Sequence, residues 1–462
     1  MAERVVVVGA GVTGLTVAHR LLAAEPGLHL TVLEEGAVPG GRLRTVRVGD
    51  LEMDAGPDAF VARKPWAAEL CRELSLELVE PNAHGSYVWT RTGLVPLPET
   101  SLGIPAEIDG IARWRGLSRS GRAKALGDLV KRVPRSEAPE SVGGLVRRRL
   151  GDEVADVLVQ PVLGGSFGGD IDRLDVRATF PELVAWERGH GSLIRGAAAS
   201  RKAAATAGPM FVRPSPGVTA LPRELLRVVG DERVRLTTAV TQIRAEGSGS
   251  VVRADEHELS ADAVVLATPA FASAELLGDL APGAAAELTA IAYSTAGVVV
   301  LVYAEGTAEV LPEASGFVVP PGRAPMTSAS FVSRTWPAAG FGSRAVVRCM
   351  IGGVGAEDVV DAPDGEIVDA VGRHLSAVLP LPEVPSAVAV VRWPRAMPQY
   401  EMGHLERVAR IESSLPPGIF IAGNAYRGVG VADAVRSANE TAAQVLAHLR
   451  GGDRPTEGEQ LR

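Results

Sequence analysis

The chain has 462 residues with 47 basic and 55 acidic side chains, a net charge of −8, which suits about three domains and argues against nucleic acid as a partner. With 46% apolar and 22% charged residues it reads as globular, and no apolar run reaches the ~18 residues of a membrane span. Cys71 and Cys349 are the only cysteines, which excludes a disulfide scaffold or a CxxC metal or redox site and fits a reducing cytoplasm.

Arg4–Val8 is a short apolar run that reads as a strand of the folded protein, so no signal peptide is expected. Gly9-Ala10-Gly11-Val12-Thr13-Gly14 follows, and then Leu15, Ala18, Leu21 and Leu22 recur at helical spacing. A second strand, Leu28–Leu33, ends in Glu34. This order of strand, GxGxxG, helix, strand and acid is the dinucleotide-binding pattern. Gly9 permits the tight turn, Gly11 lets the backbone approach a pyrophosphate, and Gly14 lets helix pack on strand. The helix start, with its free N–H groups, holds the phosphates. Glu34, 20 residues past Gly14, is placed for a ribose diol, with Glu35 as the alternative. Gly40-Gly41-Arg42 lies just beyond, and Asp54-Ala55-Gly56-Pro57 after that.

From Ile108 to about Arg201 the chain is rich in Arg, Ala and Leu and reads as several amphipathic helices, with Gly191–Ala205 also helical. Arg233–Ile243 alternates as one strand. Val251–Ala254, Glu258–Leu259 and the buried run Ala263–Ala267 complete a β-meander and a return strand. Gly297–Tyr303, Gly316–Val319, Ala345–Ile351 and Ala387–Arg392 are strand-like, with a helix over Asp364–Leu379, and suggest a second, mixed-sheet domain. Gly418–Ala422 is a strand, Gly423–Gly430 a Gly-rich loop and Val431–Leu449 a helix. A polar tail follows. Only four lysines occur, Lys64, Lys124, Lys131 and Lys202, so none lies in the last 260 residues.

GxGxxG, Glu34 and Gly40-Gly41-Arg42 together resemble the FAD-binding amine oxidases and desaturases. The middle and C-terminal stretches narrow this. Gly56-Pro-Asp-Ala-Phe60 with Arg63-Lys64, Gln160–Asp170, Arg177–Pro181, His190–Arg195, Arg392-Trp393 with Ala396–Tyr400, Gly403-His404 and Ala422–Gly430 resemble the coproporphyrinogen III and protoporphyrinogen oxidases of haem biosynthesis, in their Gram-positive and actinobacterial form. Ala59 stands where that family commonly has Ser, and Gln160 where it has an acid.

The resemblance implies an α/β (α+β mixed) fold: a split Rossmann-like FAD-binding domain, a mixed-sheet substrate domain and a helical domain. The expected boundaries are 1–85 with 210–275 and 405–450 for FAD, 86–107 with 276–404 for substrate, 108–209 for the helical lobe and 451–462 for the tail. Non-covalent FAD is expected at Gly9, Ala10, Gly11, Val12, Thr13, Gly14, Glu34 or Glu35, Gly40, Gly41, Arg42, Gly56, Pro57, Asp58, Ala59, Val240, Trp393, Gly423, Asn424, Gly430 and Val431. Val240 is expected near the adenine and Trp393 beside the flavin, with core filling as the other reading of Trp393. Asn424, where many flavoproteins have an acid, can hydrogen-bond the ribityl chain. The start of the last helix can place positive potential on the flavin N1–C2 edge.

The reaction implied is a six-electron oxidation of coproporphyrinogen III, in three rounds of hydride transfer from a meso carbon to flavin N5, with O2 as oxidant and hydrogen peroxide released. No side-chain base is required, and no firm catalytic residue or metal ligand is assigned. Lys64, then Arg63 and Arg91, are expected to meet substrate carboxylates at the rim of an apolar slot, a solvated lysine being the plain alternative for Lys64. His404 reads as structural, and Arg427 faces cofactor or solvent. Protoporphyrinogen IX is the alternative substrate and an amine the more remote one. Peripheral membrane contact and docking of downstream haem-synthesis enzymes stay open.

Overall fold

Residues 3–133, 138–204, 208–336 and 340–451 are described by the computed structural model. The strand Arg4–Val8 is central to a five-stranded parallel sheet. Val234–Arg235 and His29–Leu33 lie on one side of it, Ala263–Leu266 and Ile419–Ile421 on the other. Its valines alternate between two cores. Val5 and Val7 face the helices Val12–Ala24, Ala220–Val229 and Val431–Leu449, while Val6 and Val8 face the meander and the helix Ala270–Leu277. A strand covered on both faces is apolar throughout, which is why this run has no polar interruption.

The meander is Val240–Glu246, Gly249–Ala254 and His257–Ala261, all antiparallel. Here the expectation of one strand over Arg233–Ile243 is corrected. The chain breaks at Thr237, whose φ is +51°, so Val234–Arg235 joins the parallel sheet and Val240 opens the meander. The break is fixed from outside: Thr237 N–H donates to Gly36 O at 3.0 Å and Thr238 N–H to Glu34 O at 2.8 Å.

A seven-stranded mixed sheet runs in the order Ala387–Pro398, Tyr293–Val302, Val346–Gly352, Met326–Phe331, Gly316–Val318, Tyr87–Thr90, Gly93–Pro96. Met326–Phe331 was not expected, because Thr327, Ser328 and Ser330 mask the burial of Met326, Ala329 and Phe331. Ala387–Pro398 runs six residues past the expected end at Arg392. It is an edge strand, so Pro394 and Pro398 remove no ladder donor that the sheet needs.

The helical lobe spans Ile108–Arg113, Arg119–Leu126, Val142–Leu150, Val176–Thr179, Pro181–His190 and Leu193–Ala204; Ala205, the expected last residue, lies outside the described residues, as does the tail beyond Gly451. Between the helices Ala155–Gly164 forms a wide π turn that accommodates Pro161, which has no N–H to give. Arg149 is fully buried there. Its Nε donates to Asp128 Oδ1 at 2.5 Å, and the other Asp128 oxygen accepts from Ser192 Oγ at 2.6 Å and from Ile194 N–H at 3.0 Å.

Candidate flavin and substrate site

Two glycines of the turn have no room for a side chain. Gly9 has φ +103°, and a Cβ there would sit 2.9 Å from Ala267 O; one on Gly14 would sit 1.9 Å from Gly9 O. Gly11 opens the helix Val12–Ala24 without a side-chain cap, so the N–H groups of its first turn, those of Val12 and buried Thr13 among them, have no helix carbonyl to reach. Gly41, at φ +59°, faces Gly11. A Cβ on Gly41 would come 3.3 Å from Gly11 Cα, so side chains on either would fill the cradle between the two turns. Gly40 N–H donates to Ala10 O at 2.8 Å and locks the turns together.

Glu34 is half-buried and Glu35 exposed. Its two oxygens accept from Ala10 N–H at 2.7 Å and Gly36 N–H at 2.9 Å. Val240 lies two residues beyond Thr238, whose N–H donates to Glu34 O at 2.8 Å.

At the other end the expected flavin loop, Asp54–Ala59, is held from the large sheet. Trp393 Nε1 donates to Ala55 O at 2.8 Å, and Arg348 donates to Gly56 O and lies 3.8 Å from Asp58. Gly56 packs so tightly on Arg42 that a Cβ would sit 1.9 Å from Arg42 O. The Arg42 side chain, its pKa lowered by burial, donates to Ala396 O and, at 2.8 Å, to Arg395 O. Arg42 is thus a brace between the two sheets. Pro57 is exposed, while Asp58 and Ala59 are half-buried.

The C-terminal loop comes back to the same place. Gly423 has φ +126°, and a Cβ on it would lie 3.8 Å from Thr13 Oγ1; its N–H donates to Ser437 Oγ at 2.9 Å. Asn424 donates through Nδ2 to Val429 O at 2.7 Å, and its Oδ1 is buried without a partner among the described residues. A buried carbonyl oxygen left open beside a glycine loop suits a ribityl hydroxyl. Together with the cradle at Gly11 and Gly41, it shows that the residues present fit a flavin dinucleotide.

Tyr400, to which the sequence reading gave no role of its own, and His404, read there as structural, stabilise this loop. Tyr400 Oη donates to Asn424 O at 2.6 Å and accepts from Gly428 N–H at 2.7 Å. The His404 ring stacks on Tyr400 at 3.9 Å, and its Nε2–H donates to Tyr426 O at 2.8 Å. Burial pushes His404 down to about 4, so the ring is neutral near pH 7 and structural. Gly430 starts the helix Val431–Leu449 and its N–H donates to Asp433 Oδ2 at 3.2 Å.

Of the three cations expected at a substrate rim, Lys64 lies at the start of the helix Pro65–Glu73, a few residues past the expected flavin loop. Its Nζ reaches Asp433 Oδ2 at 2.7 Å and Oδ1 at 2.9 Å. Arg63 is exposed nearby in sequence. Arg91 is exposed at a hairpin turn and helps hold Glu153, in the helical lobe, below the usual carboxylate range, after the larger effect of Ser118. Arg427 pairs with Glu412 at 2.6 Å. Arg348 carried one usable signal, a lone charge in the apolar run Val346–Gly352.

No helix among the described residues is long and apolar enough to cross a membrane. Among them, no group of three or more His, Cys, Asp or Glu residues is placed to hold a metal ion. The family model for flavin containing amine oxidoreductases matches residues 12–446. The chain is 31% identical to the coproporphyrinogen III oxidase of Bacillus subtilis, over 97% of this chain and 98% of that one. It is 32% identical to that of Mycobacterium tuberculosis, over 96% and 97%. A provisionally assigned protoporphyrinogen oxidase of Exiguobacterium sp. 255-15 superposes with a TM-score of 0.86 at 28% identity, over 97% of this chain and 99% of that one. A cyclohexylamine oxidase of Brevibacterium oxydans shares the fold at 17% identity and a TM-score of 0.72, over 97% and 100%. This chain is therefore an oxidoreductase that belongs to the flavin containing amine oxidoreductases and, within them, to the family of the bacterial coproporphyrinogen III oxidases.

Proposed function

We propose that this protein binds FAD non-covalently and oxidises coproporphyrinogen III to coproporphyrin III, in the cytoplasm, with O2 as the oxidant. The observation that carries this reading is the end-to-end likeness to coproporphyrinogen III oxidases, with every glycine of both flavin-facing turns in place. The overall change removes six hydrogens from the porphyrinogen and passes them to three O2, giving three H2O2. FAD, when bound, supplies the hydride acceptor. The chain's own residues position it. Glu34 takes the ribose, Gly11 and Gly41 admit the pyrophosphate, and Asn424 Oδ1 accepts from the ribityl chain. The Asp54–Ala59 and Gly423–Gly430 loops enclose the ring.

For the substrate, Lys64 keeps 46% of its side chain exposed while paired with Asp433. An ammonium has three donors and Asp433 takes two, so one remains for a propionate. Flavin attachment through sulfur is disfavoured, because burial holds the thiols of Cys71 and Cys349 protonated and neither lies in the C-terminal loop. An amine substrate is disfavoured because the family's amine oxidases usually place a lysine near N5, whereas this chain has none after Lys202.

Protoporphyrinogen IX is the second reading, favoured by 28% identity to the chloroplastic protoporphyrinogen oxidase of rice over 96% of this chain. Porphyrin fluorescence followed with both porphyrinogens in parallel, with peroxide measured alongside, decides between them. A much higher kcat/KM on coproporphyrinogen III supports the proposal. Preference for protoporphyrinogen IX replaces the substrate, and bound FAD with neither oxidised overturns both.

A further inference from the structure

Lys64 stands in an unfavourable place for its own helix. It is the residue before Pro65–Glu73, at a helix start, where the backbone dipole repels a cation. What holds it there is Asp433, the third residue of Val431–Leu449, so the starts of two helices meet through this pair. The segments that follow the two loops expected to enclose the flavin are thereby joined across 369 positions of sequence.

Asp433 is only 7% exposed at its side chain. Its carboxylate packs against Gly428, where a Cβ would come within 2.5 Å of Cγ, and bonds Gly430 N–H at 3.2 Å. It therefore abuts the backbone expected to face the N1–C2 edge. Among the described residues one other cation approaches it, Arg436 at 3.9 Å, and that guanidinium is engaged by Arg427 O and lies 3.6 Å from Glu440. A buried charge in a medium of low dielectric acts strongly on its neighbours unless a partner cancels it. Lys64 is that partner.

We propose that Lys64 and Asp433 are a balanced charge couple that sets the reduction potential of the flavin, with Asp433 a positioning residue that touches neither flavin nor substrate. The proposal rests on the FAD reading above. Reduction adds negative charge at the flavin. An unpaired Asp433 opposes that charge and an unpaired Lys64 favours it.

The test is a dye-equilibrated reductive titration of the purified flavin-loaded protein at pH 7, read from flavin absorbance. Lys64→Met is expected to shift the midpoint to more negative potential and Asp433→Asn to more positive potential. The double variant returns towards the wild-type value, and Lys64→Arg stays near it. Shifts of the same sign in the two single variants, or no shift in Lys64→Met, overturn the couple. Lys64→Met changes a half-exposed side chain, so it keeps the test decisive even if Asp433→Asn fails to fold. Wild-type protein that neither retains nor rebinds FAD overturns the cofactor reading instead, a result separate from either potential shift.

Discussion

Asp54 offers the sharpest stability test, because its surroundings set a pH dependence of known sign. It ends the strand Leu51–Asp54 and lies in a cleft of about 240 Å3 with Asp58, Arg213 and Arg348. Burial pushes its pKa up from 3.8 to about 6, in spite of the Arg213 guanidinium 3.6 Å away. The folded state then binds the proton more tightly than the unfolded state, so stability falls as pH rises between the two values. With both pKa values taken into account, wild type loses about 2 kcal/mol between pH 4.5 and 7.5 through this one group, at about 1.36 kcal/mol per pH unit. Asp54→Asn cannot titrate. The attraction of Arg213 is already part of what sets the Asp54 pKa, so its pH dependence is contained in that shift, and what Asn costs beyond it does not vary with pH. The difference in unfolding free energy between variant and wild type should therefore change by about 2 kcal/mol in favour of the variant as pH rises over this range. Urea unfolding midpoints of both proteins at the two pH values measure it. Parallel pH profiles, or a difference that moves the other way, would refute the argument that burial dominates at Asp54.

Five further substitutions separate the roles assigned above. Glu34→Ala removes a carboxylate that accepts two backbone N–H groups, so the FAD dissociation constant should rise about ten- to hundredfold, the weight of one lost charged hydrogen bond; exposed Glu35→Ala should leave it unchanged, and titration of the flavin-stripped protein with FAD compares them. Tyr400→Phe strands Asn424 O and Gly428 N–H, at a cost of about 1–3 kcal/mol for each buried group left without a partner; stopped-flow release of FAD should be faster with the fold retained. Asp128→Ala removes the nearer carboxylate of fully buried Arg149, leaves it Glu187 at 3.4 Å, and should lower stability by about 3 kcal/mol, the low end for a broken buried pair. Adding Arg149→Leu should restore part of that loss in the same denaturation assay.

What was legible in the sequence was local. Gly9, Gly11 and Gly14 reveal themselves by spacing alone, because phosphate recognition uses the backbone and the backbone needs glycine at fixed offsets. The strand Arg4–Val8 and the helix Val431–Leu449 were equally plain, each carrying its own period. The break at Thr237 was not, because it is imposed by hydrogen bonds from Gly36 and Glu34, some 200 residues earlier. Nor could the run Arg147-Arg148-Arg149 show which arginine is buried: all three are paired, and only the approach of Asp128 and Ser192 from other segments draws Arg149 inside.

The same reasoning explains why the cofactor end of the site was easier to read than the substrate end. Around the flavin loops the deciding side chains come from distant segments: Arg348 on Gly56 and Trp393 on Ala55, each separated by roughly 300 residues or more, and Asp433 on Lys64. A sequence shows that Lys64 is a cation near Gly56–Phe60, but its charge has no meaning until Asp433 is known to cancel it. A charge on such a surface acts through its partner. For this chain the electrostatics of the flavin edge is therefore a property of the contact between two helix starts, and substitutions on either side of that contact should be read as one perturbation rather than two.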